Sequence, residues 1–226
     1  MSHPDLPRGQ RAIDFFPRFG VPFFADRWPT VPERPGITIR GLVEKPVTSE
    51  LAALGILPRH EIVADFHCVT TWTRAGVRWG GYRLEDVLNT LVPPRARPRQ
   101  ARYLRFVSLD GYEVCIDWRD VDADTLLADQ LNGQPLSLEH GAPLRLVAPA
   151  LYGYKNAKHV NRIEFLADYR RGRAERQTLA HPRARVAYEE RGRILPSWIY
   201  RHAYRALIPL ALASYARAAR VAEHPS

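Results

Sequence analysis

The chain has 226 residues, 46% hydrophobic and 25% charged, which fits about one globular domain and excludes collagenous, disulfide-scaffold and wholly disordered chains. Its net charge of +9 is unevenly placed: residues 170–226 hold twelve arginines against four glutamates, so the body is nearly neutral and carries no general signal for nucleic acid. Two cysteines cannot build a disulfide framework. The opening MSHPDLPRGQ lacks the apolar run of a secretory signal, and the uncharged stretch 206–216 is shorter than the ~20 residues a spanning helix needs. A soluble, cytoplasmic protein is the expectation.

Residues 1–35 are rich in Pro and aromatic residues and read as an extended arm laid on the body, since so many exposed rings would be unusual. Residues 36–41 alternate as a strand, 49–57 suit a short helix ending before Pro58, and 61–69 are β-rich. In 82–92, Leu84, Val87, Leu88 and Leu91 form one helical stripe stopped by Pro93 and Pro94. Strands at 102–109 and 112–118 flank Asp110-Gly111, a hairpin turn signal. Two more strands, 144–148 and 160–166, flank an irregular loop. Strands and helices mix without a regular βαβ rhythm, and neither GxGxxG nor a P-loop is present. The fold class is α+β with a mixed β-sheet: a domain over 36–169 and a basic extension over 170–226.

In that extension, 170–193 read as a polar, loosely packed stretch. Residues 196–222 read as a helix kinked at Pro209, with Tyr200, Tyr204, Leu207, Ala211, Tyr215, Ala218 and Ala222 on one stripe and arginines beside it. Two roles fit residues 194–222: docking on the body or a protein partner, or lying at an anionic membrane surface.

Two places carry chemistry. Cys68 ends the strand Asp65-Phe-His-Cys-Val-Thr-Thr-Trp72. A free cysteine there is ordinarily a small core residue, with a reactive or ligating role as the alternative. His67 beside it is a poor chelating partner, because adjacent strand residues point to opposite faces, and no cluster offers the three or four ligands zinc wants. The second place is His140-Gly-Ala-Pro-Leu-Arg-Leu-Val-Ala-Pro149, followed by Tyr152-Gly-Tyr-Lys-Asn-Ala-Lys158. Only three lysines stand against thirty arginines in the chain, yet Lys155 and Lys158 fall together here. With Arg145 and Asn156 they suit a phosphate or a heterocycle bearing one, while a solvated basic loop also explains the two lysines.

Taken in order, Phe-His-Cys-Val-x-x-Trp, Tyr-Leu-Arg-Phe-x-Ser, the Gly-Tyr hairpin and the two later motifs resemble the molybdopterin-binding domain of the sulfite oxidase family, in its branch of small bacterial sulfite oxidase-like oxidoreductases. The likeness covers roughly residues 6–170. It implies a molybdenum–molybdopterin cofactor with Cys68 as the metal's thiolate ligand and Tyr112 as an active-site tyrosine. His140 and Arg145 match residues holding the pterin and its phosphate, and methionine-sulfoxide-reductase relatives carry Asn in place of His140. Asn156, Ala157 and Lys158 match the phosphate-end loop, Ser108 a small residue near the metallopterin, and Arg18 and Phe19 a cofactor-contacting segment. His67 and Lys155 join the cofactor-binding set, and Cys115 matches no ligand position.

Sulfite oxidases carry an arginine where this chain has Trp72, so sulfite is an uncertain substrate, with Arg74 or Arg78 as stand-ins. The resemblance implies oxygen-atom transfer on a small oxyanion or sulfoxide and, without a haem domain in this chain, a separate electron-transfer partner. The alternative is a cofactor-free binding module that docks a partner through its Arg-rich tail.

Overall fold

The computed structural model describes residues 6–18, 24–97, 99–177 and 179–223. Its elements are β1 (Arg11–Ile13), β2 (Gly36–Gly41), β3 (Val47–Glu50), β4 (His60–His67), β5 (Trp72–Arg83), α1 (Leu84–Leu91), β6 (Tyr103–Ser108), β7 (Glu113–Asp117), β8 (Leu126–Leu131), β9 (Gln134–Pro135), β10 (Arg145–Val147), β11 (Val160–Leu166), α2 (Arg173–Gln177) and α3 (Ser197–Glu223). They form two mixed sheets where the sequence reading expected one mixed sheet, and the α+β class holds. One runs β1-β5-β8-β10 with β4 on β5 and β9 on β8; the other runs β3-β2-β11-β6-β7. Among the described residues only β1–β5 and β2–β11 are parallel pairs.

The core lies between the sheets and under α1. Ile37 and Ile39, Leu104 and Phe106, and Ile163 and Phe165 alternate inward along β2, β6 and β11, the period-2 pattern that commits a strand's register. Leu84, Val87 and Leu88 of α1 close the same cluster, all at 0% exposure.

Several boundaries differ from the sequence reading. The short helix expected over 49–57 is a 3-10 helix over 51–56, and residues 47–50 before it are a strand; there, pairing with β2 outweighs the local propensity. Strand β5 runs on to Arg83, so α1 starts two residues late. β4 stops at His67, leaving Cys68 in the turn to β5. The arm is tied to the body where β1 pairs with β5, and α3 spans Pro209 without ending there.

The largest correction concerns 170–193, which is firmly anchored. Arg191 is fully buried, and its Nη1 and Nη2 donate to the carbonyls of Val69 (2.6 Å) and Arg8 (3.0 Å). Arg183 pairs with Asp120, and Glu175 of α2 is buried against Lys155. Arginine's several donors let each side chain bridge separate parts of the body, which a reading of the stretch as merely polar overlooks.

Candidate active site

The ends of the central strands and one face of α3 enclose a cavity of about 400 Å³. Cys68 opens the turn between β4 and β5. Its N–H donates to the Trp72 carbonyl (2.8 Å), and its own carbonyl accepts from Thr71 N (3.1 Å) and Gln10 Nε2 (3.0 Å). Thr71 sits at φ 81°, an outlier for a β-branched residue and a cost the surrounding bonds must offset. The thiol faces the cavity 3.0 Å from Thr70 Oγ1, and burial pushes its pKa up to about 11. His67, one residue earlier, turns away: its Nδ1 meets Thr73 Oγ1 at 2.9 Å, and it does not line the cavity.

Arg145, at the start of β10, is 1% exposed and makes no ion pair among the described residues. Its Nη1 donates to the His140 carbonyl (2.8 Å), its guanidinium lies 4.7 Å from the Trp79 ring centre, and its Nε has no hydrogen-bond partner among the described residues. Burial lowers its pKa to about 9. Gly141 makes this approach possible. At φ 113° any side chain would be strained, and a Cβ there would sit 3.1 Å from Arg145 Cβ and 3.2 Å from Lys158 Cβ.

Lys158 donates to the Glu139 carbonyl (2.7 Å). Burial, with Arg145 and Arg18 nearby, lowers its pKa to about 7. Arg18, from the arm, also lines the cavity, donating to the Ala25 carbonyl and lying 3.6 Å over Trp28. Against these three cations stands Asp110, whose carboxylate accepts from Tyr112 N at 2.9 Å and whose pKa burial raises. The cavity therefore favours an anion.

Tyr112 lines the wall and donates its hydroxyl to the Tyr154 carbonyl (2.7 Å); burial raises its pKa well above the ordinary value, keeping it protonated. Asn156 also borders the cavity, accepting from Ala148 N (2.7 Å) so that the loop is held on β10. Thus Cys68, Tyr112, Arg18, Arg145, Asn156 and Lys158 converge.

The others are placed differently. Lys155 is a correction: its ammonium is fully buried in an ion pair with Glu175 and bonds to the Cys115 carbonyl and Tyr169 hydroxyl, leaving no donor for a ligand. Ala157 is packed in the core beneath the loop. His140 stacks on Phe16 (5.1 Å) outside the cavity lining, and burial and the neighbouring cations lower its pKa to about 4. Ser108 is buried behind the wall, its hydroxyl without a partner among the described residues. Phe19 lies outside the described residues. Neither suggested stand-in for the missing arginine reaches the cavity: Arg74 donates towards the Ile13 carbonyl and Arg78 towards Glu61 at the surface, while Trp72 itself lines the wall.

Sequence reading missed His159, which lines the cavity from φ 54°, donates Nδ1–H to the Ala142 carbonyl (2.6 Å) and has its pKa lowered by burial to about 4. It also missed that Tyr204, Leu207, Leu210, Ala211, Ser214 and Tyr215 of α3 form one wall. The stripe on that helix was visible; which surface it would meet was not.

Residues 27–174 match the oxidoreductase molybdopterin-binding domain. Among similar proteins, an uncharacterized oxidoreductase of Bacillus subtilis, YuiH, is 32% identical over 177 residues, 76% of this chain and 84% of that protein. Sulfite oxidase of Arabidopsis thaliana is 27% identical over 60% of this chain, and the protein-methionine-sulfoxide reductase catalytic subunit MsrP of Campylobacter jejuni 31% over 57%. The chain spans less than half the length of these last two, 43% and 48%. The sulfane dehydrogenase SoxCD of Paracoccus pantotrophus shares the fold, with a TM-score of 0.56 at 22% identity over 67% of this chain and 44% of that one. On the match over residues 27–174 and the relationship to YuiH, the chain belongs to the oxidoreductase molybdopterin-binding domain family.

Proposed function

We propose that the protein is a molybdenum–molybdopterin oxidoreductase that transfers an oxygen atom to or from a small oxyanion or sulfoxide and exchanges electrons with a separate carrier. One observation carries this reading: a fully buried Arg145, with no ion pair among the described residues, shares a cavity of about 400 Å³ with the Cys68 thiol. An uncompensated buried cation is costly, and an anionic ligand offsets that cost. A cofactor-free binding module would gain nothing from it.

The donor set fits the cofactor. Arg145 and Lys158 would hold its phosphate, with Arg18 adding positive charge from the arm. Cys68 would supply a soft thiolate to the metal, losing the proton that burial now holds on it. When bound, the group supplies two-electron oxygen-atom chemistry at an open metal position. The chain does the rest. Tyr112 presents a protonated phenol in the wall, Trp72 and the α3 residues limit water, and His159 remains neutral at physiological pH. With Trp72 replacing a cation near Cys68, a neutral sulfoxide fits this end of the cavity better than sulfite.

The test is Cys68→Ser, made in a molybdenum-replete, pterin-competent host. Loss of the thiolate-to-metal absorption and of activity, with an unchanged melting profile, is expected. Wild-type absorption and turnover would refute the assignment.

A further inference from the structure

Helix α3 has two sides, and only one is accounted for. The inner side packs on the body and lines the cavity, with Ala211 and Tyr215 in the cavity wall and Tyr200 before them, all below 10% exposed. The outer side has no polar group over nearly three turns: Ala206, Pro209, Leu210, Leu212, Ala213 and Ala216 are all exposed. Leu210 is 67% exposed, and Trp198, towards the helix start, 58%. A helix apolar all round is ordinarily buried on all sides, and an exposed continuous apolar patch marks an interaction surface.

We infer that this outer side of α3 seats the protein on an anionic lipid surface. Charge is the first argument. Arg205 and Arg217 stand at the two ends of the uncharged stretch and form no ion pair among the described residues, although Arg205 Nε donates to Thr71 Oγ1 (3.3 Å), whereas Arg201 is held by Glu189. Basic residues flanking an apolar face, with a tryptophan near one end, are the pattern of an interfacial helix. Texture is the second. A specific protein interface needs a cluster of aromatic anchors and polar groups to fix its register; between residues 206 and 216 the outer side is Ala, Pro and Leu alone, and a bilayer requires only apolarity. Among the described residues no helix is long and apolar enough to cross a membrane, so α3 would lie in the surface plane. Leu210 belongs both to this outer side and to the cavity wall, so the apolar face borders the cavity. A seated protein would present its site to the lipid boundary. The inference does not depend on which substrate the site turns over.

Flotation of the purified full-length holoprotein with vesicles tests it. Phosphatidylcholine vesicles alone should bind weakly. Replacing about a third of the lipid with phosphatidylglycerol should raise partitioning about tenfold or more, since each basic residue near such a surface contributes about 1 kcal/mol. Raising salt from about 0.15 M to about 1 M should reverse most of that gain. Ala206→Glu with Ala213→Glu puts two carboxylates on the outer side, away from the cavity, and should abolish flotation while thermal melting stays unchanged. No flotation of the wild type overturns the inference. So does binding that ignores both lipid charge and the double variant, or concentration-dependent self-association without vesicles that the variant abolishes, which would make a second copy the occupant.

Discussion

Arg145→Met separates the cost of the site from its use. Burial lowers the Arg145 pKa to about 9, and at about 1.4 kcal/mol per decade its charged form is about 4–5 kcal/mol less stable than it would be in water. The bond to the His140 carbonyl returns about 1.5–3 kcal/mol. Methionine keeps the apolar stem against Trp79 and needs no counter-charge. Cofactor-free protein carrying Arg145→Met should therefore be about 1–3 kcal/mol more stable than wild type, a rise in melting temperature of about 3–10 °C for a chain of this size. The same variant should load cofactor one to two decades less tightly, since it loses a charge-assisted bond to the phosphate. Thermal unfolding of protein from a pterin-deficient host, paired with metal analysis of protein from a replete one, reads both quantities. A variant that is less stable without cofactor, or that loads molybdenum like wild type, refutes the reasoning.

Two further outcomes follow from buried charge. Glu175→Gln leaves the Lys155 ammonium buried without a carboxylate and should cost about 3–5 kcal/mol; pairing it with Lys155→Met should recover most of the loss in urea or thermal unfolding, and no recovery would mean Lys155 matters for another reason. Lys158 has its pKa lowered to about 7 in the native state, so above pH 7 the unfolded chain holds a proton that the native chain has released. Stability of the cofactor-free protein should then rise with pH between about 7 and 8.5, and Lys158→Met should flatten that slope. A wild-type curve that falls over this window contradicts the sign.

Sequence reading reached a mixed sheet, the α1 stripe and six residues of the cavity wall, Arg18, Cys68, Tyr112, Arg145, Asn156 and Lys158, because these rest on local pattern and on the motifs that carry the family resemblance: alternation along β2, β6 and β11, and compact motifs around Cys68 and Arg145. It failed where a partner distant in sequence decides. Lys155 and Lys158 look alike in Tyr-Lys-Asn-Ala-Lys, yet one meets Glu175 and the other the cavity, a choice made by how α2 docks on β7. His67 and Cys68 were separable by strand alternation, but only the pairing of β4 with β5 shows that His67 meets Thr73. The arginines of 170–193 read as a solvated run because their carbonyl and carboxylate partners, Val69, Arg8 and Asp120, lie far back in the chain.

Those long-range contacts reverse the expectation that residues 170–193 are loosely packed. Truncation after residue 170 would remove Glu175 from Lys155, Arg183 from Asp120 and Arg191 from the Val69 carbonyl one residue beyond Cys68. The first loss alone is worth about 3–5 kcal/mol, a large share of the roughly 5–15 kcal/mol that holds a typical domain together. The 1–170 fragment should therefore fail to fold cooperatively or to load cofactor. Truncation after residue 196 retains all three anchors and removes only α3. That fragment should unfold in a single transition at a lower temperature, because Tyr200 and the Arg201–Glu189 pair are gone, and it should no longer float with anionic vesicles. Calorimetry and metal analysis of the two fragments distinguish the roles of the two segments. A 1–170 fragment that melts and loads like the full chain would show that the buried arginines and Lys155 are dispensable. A 1–196 fragment that cannot fold would make α3 part of the core and not a wall laid on it.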